Sequence, residues 1–151
     1  MNVALGSDHR GYAAKQRIRA FLESRGHDVT DFGCDSAESC DYPDAAIPAA
    51  EAVAQGTAER AILCCGSGIG MSITANKVHG VRASLCHDAV TAEMARRHND
   101  ANVLCLPADL ISESVIEHVV DVWLQTPFDA GRHERRIDKI TAYEKNGHPG
   151  A

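Results

Sequence analysis

The sequence predicts an α/β fold, in which a five-stranded parallel sheet is covered by helices on both faces and a further helix ends the chain. Short apolar runs alternate with stretches whose apolar residues recur at helical spacing, the pattern of strands joined by helical crossovers. The 151 residues are 44% apolar, enough to bury a substantial core. No repeat or composition break divides the sequence, so one domain over residues 1–151 is expected.

The first half of the chain supplies three of the strands. Gly26 ends a first helix whose apolar residues recur every three or four positions. Pro43 is tolerated near the start of the alanine-rich second helix. The predicted strands are residues 2–6, 27–32 and 61–65, and the predicted helices begin near Gly11, at Asp41 and in the glycine turn after Cys65.

The second half repeats the alternation. Asp88 is a candidate N-cap for a helix that ends near His98. Ser114 and Glu117 fit a capping box ahead of an apolar stripe that includes Trp123. The predicted strands are residues 81–86 and 102–106, and the final helix is predicted at residues 132–144, after breaks at Pro127 and Gly131.

Composition restricts the class of partner. The net charge of −6 and the pI near 5.7 argue against a nucleic-acid or anionic-membrane surface and favour a small-molecule ligand. Asp8, His9 and Arg10 precede any apolar signal-peptide core, and no apolar run has membrane-spanning length, so a cytoplasmic protein is expected. The six cysteines form no C-x-x-C pair and no zinc-type spacing with the histidines, which predicts reduced thiols and no metal site.

The most informative stretch is an apolar strand that ends in Cys64 and Cys65 and continues into a loop with three glycines. Gly66, Gly68 and Gly70 allow a tight turn whose amides can face an anion. A cysteine beside a helix N-terminus favours the thiolate. An ordinary strand-to-helix turn beside a core cysteine is the competing interpretation, and the spacing fits neither the dinucleotide loop nor the P-loop.

Other polar residues are candidates because of their position. Asp8 and His9 follow the first strand, at the sheet edge where parallel α/β proteins bind ligands. Arg132 and Arg136 are four residues apart, which places them on one helix face suited either to a phosphate or simply to solvent. His98, at a helix end, is either an acid–base group or a cation stabilised by the helix dipole.

Taken together, six segments resemble the ribose-5-phosphate isomerase B family, which also contains galactose-6-phosphate isomerase subunits. The resemblance extends from the first strand to the last helix, and the order of the segments is more specific than any one of them. The segments are Gly6–Gly11, Asp41–Asp44, Cys65–Ser72, Ala75–Lys77, His98–Asn102 and Gly131–His133.

The resemblance implies a Rossmann-like three-layer sandwich and an aldose–ketose isomerase that interconverts ribose 5-phosphate and ribulose 5-phosphate through a cis-enediolate, without metal or cofactor. It also implies a homodimer with active sites at the subunit interface, with tetramers as a further option. In the family pattern Cys65 is the base and His98 assists ring opening. The chemistry adds Ser67, whose hydroxyl could orient either the thiol or the carbonyl. The implied substrate contacts are Asp8, His9, Tyr42, Gly66, Gly68, Ile69, Gly70, Asn99, Arg132 and Arg136.

Three alternatives stay open at this point. They are a hexose-6-phosphate isomerase, a non-catalytic sugar-phosphate-binding module, and a redox protein that cycles Cys64 and Cys65, although adjacent cysteines form a strained disulfide. Some relatives carry a glutamate base where this chain has Met71, which leaves Cys65 as the base. Many carry a third phosphate arginine where this chain has Asp109. Either Asp109 turns away from the site, or phosphate binding rests on Arg132 and Arg136 together with a further cation that compensates the charge of Asp109.

Overall fold

The computed structural model describes residues 1–147 and places five parallel strands in one sheet, in the order β2-β1-β3-β5-β4. Residues 148–151 of the expected domain lie outside the described residues. The strands are β1 (Asn2–Ser7), β2 (Asp28–Asp31), β3 (Arg60–Cys65), β4 (Ala83–Leu85) and β5 (Val103–Pro107). The helices are α1 (Tyr12–Ser24), α2 (Tyr42–Ala54), α3 (Ile69–Ala75), α4 (Ala89–Asn99), α5 (Glu113–Gln125) and α6 (Glu134–Lys145). The predicted α/β class is confirmed.

Helices cover both faces of the sheet because the central strand β3 and its neighbour β5 are apolar on both sides. On one face Leu104 and Leu106 pack with α1, α4 and α5, where Trp123 of the predicted apolar stripe is fully buried. On the other face Val103 and Cys105 pack with α2 and α3. Small alanine side chains on α2 let this helix approach the sheet closely.

The predicted C-terminal helix is present as α6, and none of its side chains is buried. Its carboxylate Glu144 accepts a hydrogen bond from the Gly80 amide at 3.2 Å, which links α6 to the segment before β4. Among residues 1–147, no helix combines the length and the apolar character needed to cross a membrane.

The predicted capping box of α5 is wrong. Helix α5 begins at Glu113 after Ser112, so Ser114 lies inside the helix and Glu117 pairs with Arg17 of α1 at 2.7 Å instead of closing a capping box. Helix α6 begins at Glu134, two residues after its approximate predicted start. The predicted N-cap of α4 is confirmed, since the Asp88 carboxylate accepts the Thr91 amide at 2.7 Å.

The α6 start is displaced by the backbone immediately before it. Ala130 and Gly131 adopt left-handed conformations, with φ of 53° and 58°, and turn the chain before the helix begins. Arg132 therefore lies in a turn, and the prediction that Arg132 and Arg136 share a helix face is wrong.

A buried ion pair connects α1 to β2 and to the loop after β2. The Lys15 side chain is 1% exposed, and its Nζ donates to Asp31 Oδ1 at 2.6 Å and to the Cys34 carbonyl at 2.7 Å. Asp31 also accepts the Gly33 amide at 2.9 Å. The ammonium is thus satisfied by partners from two segments, which fixes the path of the chain toward α2.

We predict that Asp31→Ala lowers the free energy of unfolding by about 3 kcal/mol, because it leaves the Lys15 charge buried without its carboxylate. The free energy is measured by urea unfolding. The matched control is Glu23→Ala, which removes an exposed ion pair to Arg19 and should cost less than about 1 kcal/mol. Equal losses in the two variants would contradict a structural role for the buried pair.

Candidate active site

A cavity of about 370 Å³ opens at the carboxyl ends of β1, β3 and β5. This is the edge of a parallel sheet at which loops converge and ligands bind. Its lining includes Asp8, Arg10, Tyr42, Cys65, Ser67 and Asp109. Four of these were predicted as site residues, and the structure brings them together from loops far apart in sequence.

The Cys65 thiol lies at the end of β3 and is 4% exposed. Its sulfur accepts a hydrogen bond from the Gly68 amide at 3.1 Å. Gly68 has a φ of 73°, the left-handed region in which glycine carries no side-chain penalty. The glycine turn therefore directs an N–H group at the sulfur, an arrangement that stabilises negative charge on it.

Cys64 faces the opposite side of the sheet, as strand alternation predicts. Burial raises the pKa of the Cys64 thiol to about 12, so this thiol stays protonated near neutral pH. Cys86 and Cys105 are also buried, and burial raises the pKa of both thiols, that of Cys86 to about 11. Of the four free cysteines, Cys65 is the one that lines the cavity.

The glycine loop is partly closed on itself. The Ser67 hydroxyl accepts the Ile69 amide at 3.3 Å, and the Gly68 amide donates to the Cys65 sulfur. Two amides that were expected to contact the substrate therefore have partners within the loop. A Cβ at Gly70 would lie 2.8 Å from the Tyr42 ring. The absence of a side chain at Gly70 thus allows Tyr42 to pack against the loop and form one wall of the cavity.

The loop after β1 contributes Asp8 and His9. Asp8 is buried, and its Oδ1 accepts the Arg10 and Gly11 amides, each at 2.9 Å, just before α1 begins. His9 lies at the same edge of the sheet, where its Nδ1 is 3.3 Å from both the amide nitrogen and the carbonyl oxygen of Cys40. Asp8 lines the cavity, whereas His9 lies beside the loop that leads to α2.

Arg10 and Asp109 form an ion pair at the cavity, with Nε and Nη2 of the guanidinium 2.6 and 2.5 Å from Asp109 Oδ2. Asp109 therefore does not turn away from the site. It faces the cavity, and Arg10 compensates its charge. Arg10 was not predicted as a site residue, although its position directly after Asp8 and His9 was an available signal.

The remaining predicted residues lie at the opposite edge of the sheet. Helix α4 starts after the carboxyl end of β4 and runs back, so that His98 and Asn99 finish near the amino ends of the strands. Arg82, immediately before β4, donates from its Nε to the Asn99 carbonyl at 2.9 Å. A second cavity, of about 470 Å³, lies here between Asn99, residues 76–84 and α6.

His98 is grouped with His133 and with the two predicted phosphate arginines. The imidazole rings of His98 and His133 stack with centroids 4.3 Å apart. Burial lowers the pKa of His133, and the positive charges of His98, Arg132 and Arg136 lower it further. This concentration of positive charge suits an anionic group, but within one chain it is separated from Cys65 by the length of the sheet.

His98 and two residues near it could offer metal ligands. Atoms of His98, Asp129 and His133 lie within 4.8 Å of one another. Asp129, however, pairs with the Arg97 Nε at 3.0 Å, and the Arg132 Nε is 3.5 Å from the His133 Nε2. These cations compete with a metal ion for the same ligand atoms.

The expectation that all six cysteines are reduced is wrong for one pair. Cys34 and Cys40 form a disulfide that closes the loop between β2 and α2, while the other four thiols are free. Both partners are half-buried, and the residues between them are exposed. Because Cys64 and Cys65 point to opposite faces, the redox alternative that cycles these two finds no support.

Comparisons with known proteins agree with the observed parallel sheet. Residues 3–140 match the family model described as Ribose/Galactose Isomerase. The chain is 42% identical to ribose-5-phosphate isomerase B of Escherichia coli over 143 residues, which is 95% of this chain and 96% of that protein.

Two solved structures have nearly the same backbone. Ribose-5-phosphate isomerase B of Clostridium thermocellum superposes with a TM-score of 0.95 at 46% identity, covering 97% of this chain and 99% of that one. The Mycoplasma genitalium ribose-5-phosphate isomerase B, solved with bound ribulose-5-phosphate, superposes with a TM-score of 0.93 at 40% identity, covering 97% of each chain. The chain therefore belongs to the ribose/galactose isomerase family.

Proposed function

We propose that the chain interconverts ribose 5-phosphate and ribulose 5-phosphate, with Cys65 as the base that moves a proton between C2 and C1 of the open-chain sugar. The observation that carries the proposal is the Cys65 thiol, which lies at the end of β3, accepts the Gly68 amide at 3.1 Å and lines a cavity large enough for a pentose. Membership of the isomerase family supports the reaction class.

The chemistry proceeds in three steps. The furanose ring opens to the aldehyde, with His98 as the proposed acid–base group. The Cys65 thiolate then removes the C2 proton. The electron pair of that C–H bond forms the C1=C2 double bond, and the carbonyl π electrons move onto O1, which gives the cis-enediolate. The thiol returns the proton to C1 as the proton on O2 passes to O1, which gives the ketose. Ser67, at the mouth of the glycine loop, is positioned to orient the carbonyl.

A second copy of the chain is part of the proposal. Cys65 and His98 lie at opposite edges of one sheet, so a single chain does not bring the base and the ring-opening group to one sugar. A homodimer in which the partner supplies His98, Asn99, Arg132 and Arg136 would complete the site. Ile69 and Ile73 of α3, 53% and 58% exposed beside the glycine loop, offer an apolar surface for such an interface.

We predict that ribose 5-phosphate gives the highest kcat/KM among three sugar phosphates offered to the purified protein. The other two are allose 6-phosphate and galactose 6-phosphate, whose longer chains require a larger cavity. The rates are compared side by side under one set of conditions. A higher kcat/KM for either hexose phosphate would assign a hexose-6-phosphate isomerase, and binding of all three without turnover would indicate a non-catalytic module.

We expect Cys65→Ala to lower kcat for ribose 5-phosphate by at least about a hundredfold, which is the low end for loss of a positioned base. Cys64→Ala is the matched control, because its thiol is protonated and faces the other core. Turnover and thermal unfolding are measured for both variants. Comparable loss of turnover in both, with folding intact, would remove Cys65 from the role of base.

We expect two inactive variants, Cys65→Ala and His98→Asn, to recover activity when they are unfolded together and refolded as a mixture. If each site takes Cys65 from one subunit and His98 from the other, hybrid dimers contain one intact site, and random pairing gives about a quarter of wild-type activity. Each variant refolded alone is the control. No recovery, in a mixture shown to contain hybrid dimers, would place both groups in the same chain's site.

A further inference from the structure

The ion pair between Arg10 and Asp109 is the part of the cavity that the proposed chemistry leaves without a role. It lies directly on the glycine loop, since a Cβ at Gly66 would be 2.6 Å from Asp109 Oδ2 and 2.8 Å from Arg10 Nε. The Asp109 amide donates to the Gly66 carbonyl at 3.0 Å, which fixes the loop after β5 against the loop after β3. The pair therefore has a defined position beside Cys65.

Few of the side chains that line the cavity are charged, and Arg10 and Asp109 are two of them. Of the side chains that line the cavity within residues 1–147, Asp8 and Asp109 are acidic and Arg10 alone is basic. A phosphate dianion that enters this edge of the sheet meets two carboxylates, and the Arg10 guanidinium is the cation available to it from the same chain. The Asp8 carboxylate is already bound by the Arg10 and Gly11 amides.

The guanidinium retains donors for a ligand. Both of its contacts with Asp109 go to a single carboxylate oxygen, Oδ2, through Nε and Nη2. The Arg10 side chain is 62% exposed, and among the described residues no side chain or carbonyl accepts from its Nη1. A guanidinium held on one side by a carboxylate presents its other N–H groups in a fixed direction, which suits recognition of phosphate oxygens.

We propose that Arg10 binds the phosphate group of the substrate and that Asp109 is a positioning residue that orients the Arg10 guanidinium. This inference rests on the proposed function, because it assigns a further specificity residue to the same site. A different role has to be separated from it, in which Arg10 only cancels the charge of Asp109. The two roles predict opposite outcomes when both charges are removed.

The test compares four variants for KM and kcat with ribose 5-phosphate and for binding of inorganic phosphate by calorimetry. Arg10→Gln should raise KM about tenfold or more, with kcat changed less than about twofold, because a charge-assisted contact to the bound substrate is lost. Arg10→Gln combined with Asp109→Asn should keep KM raised at least about fivefold, since no cation is restored. Arg10→Lys should recover part of the loss, and phosphate affinity should fall in the same order.

Arg25→Gln is the matched control, because Arg25 forms an exposed ion pair with Asp121 at 3.0 Å, outside the cavity, and should leave KM unchanged. A wild-type KM and phosphate affinity in the double variant would overturn the inference and leave Arg10 as the partner of Asp109 only. If the wild-type protein does not isomerise ribose 5-phosphate, the proposed function fails, and the calorimetric comparison still decides whether Arg10 binds phosphate.

Discussion

The parallel direction of all five strands is the constraint on which the placement of the chemistry depends. A helix that joins parallel strands must return the chain to the starting edge of the sheet, so residues after strands and residues at helix ends lie at opposite edges. Cys65 belongs to the first class and His98 to the second. No side-chain rearrangement within one chain can overcome this separation, which is why the proposed site draws on a second copy.

Alternation along β3 gives the two neighbouring cysteines different chemistry. Cys64 is packed among apolar side chains of α1 and α5, where burial raises the pKa of its thiol to about 12. Cys65, one residue further, ends the strand and receives an amide from the glycine turn. Two features therefore distinguish the candidate base from the inert thiol. Cys65 points to the other face of the sheet, and Gly68, at a left-handed position, donates its amide to the Cys65 sulfur.

The sequence was sufficient where local patterns determine structure. The five strands, the Asp88 cap and the orientation of Cys64 and Cys65 follow from periodicity and turn chemistry, which act over a few residues. It was insufficient where a distant partner decides. Glu117 fits a capping box in the sequence, but in the structure it pairs with Arg17 of another helix. The partner of Arg10 is 99 residues away, and no local pattern reveals it. The Cys34–Cys40 disulfide likewise depends on the path of a loop.

The negative charge of Asp109 is compensated by a residue from another loop of the same cavity. An aspartate facing a dianion would repel it by about 1 kcal/mol per unit-charge pair at 4 Å in water, and by about 4 kcal/mol at an intermediate effective dielectric constant. Arg10 offsets the charge of Asp109, because its Nη2 and Nε lie 2.5 and 2.6 Å from Asp109 Oδ2. The loop after β1 thus places a positive charge beside Asp109 on the loop after β5, and both loops meet over Gly66, where a side chain would prevent the contact.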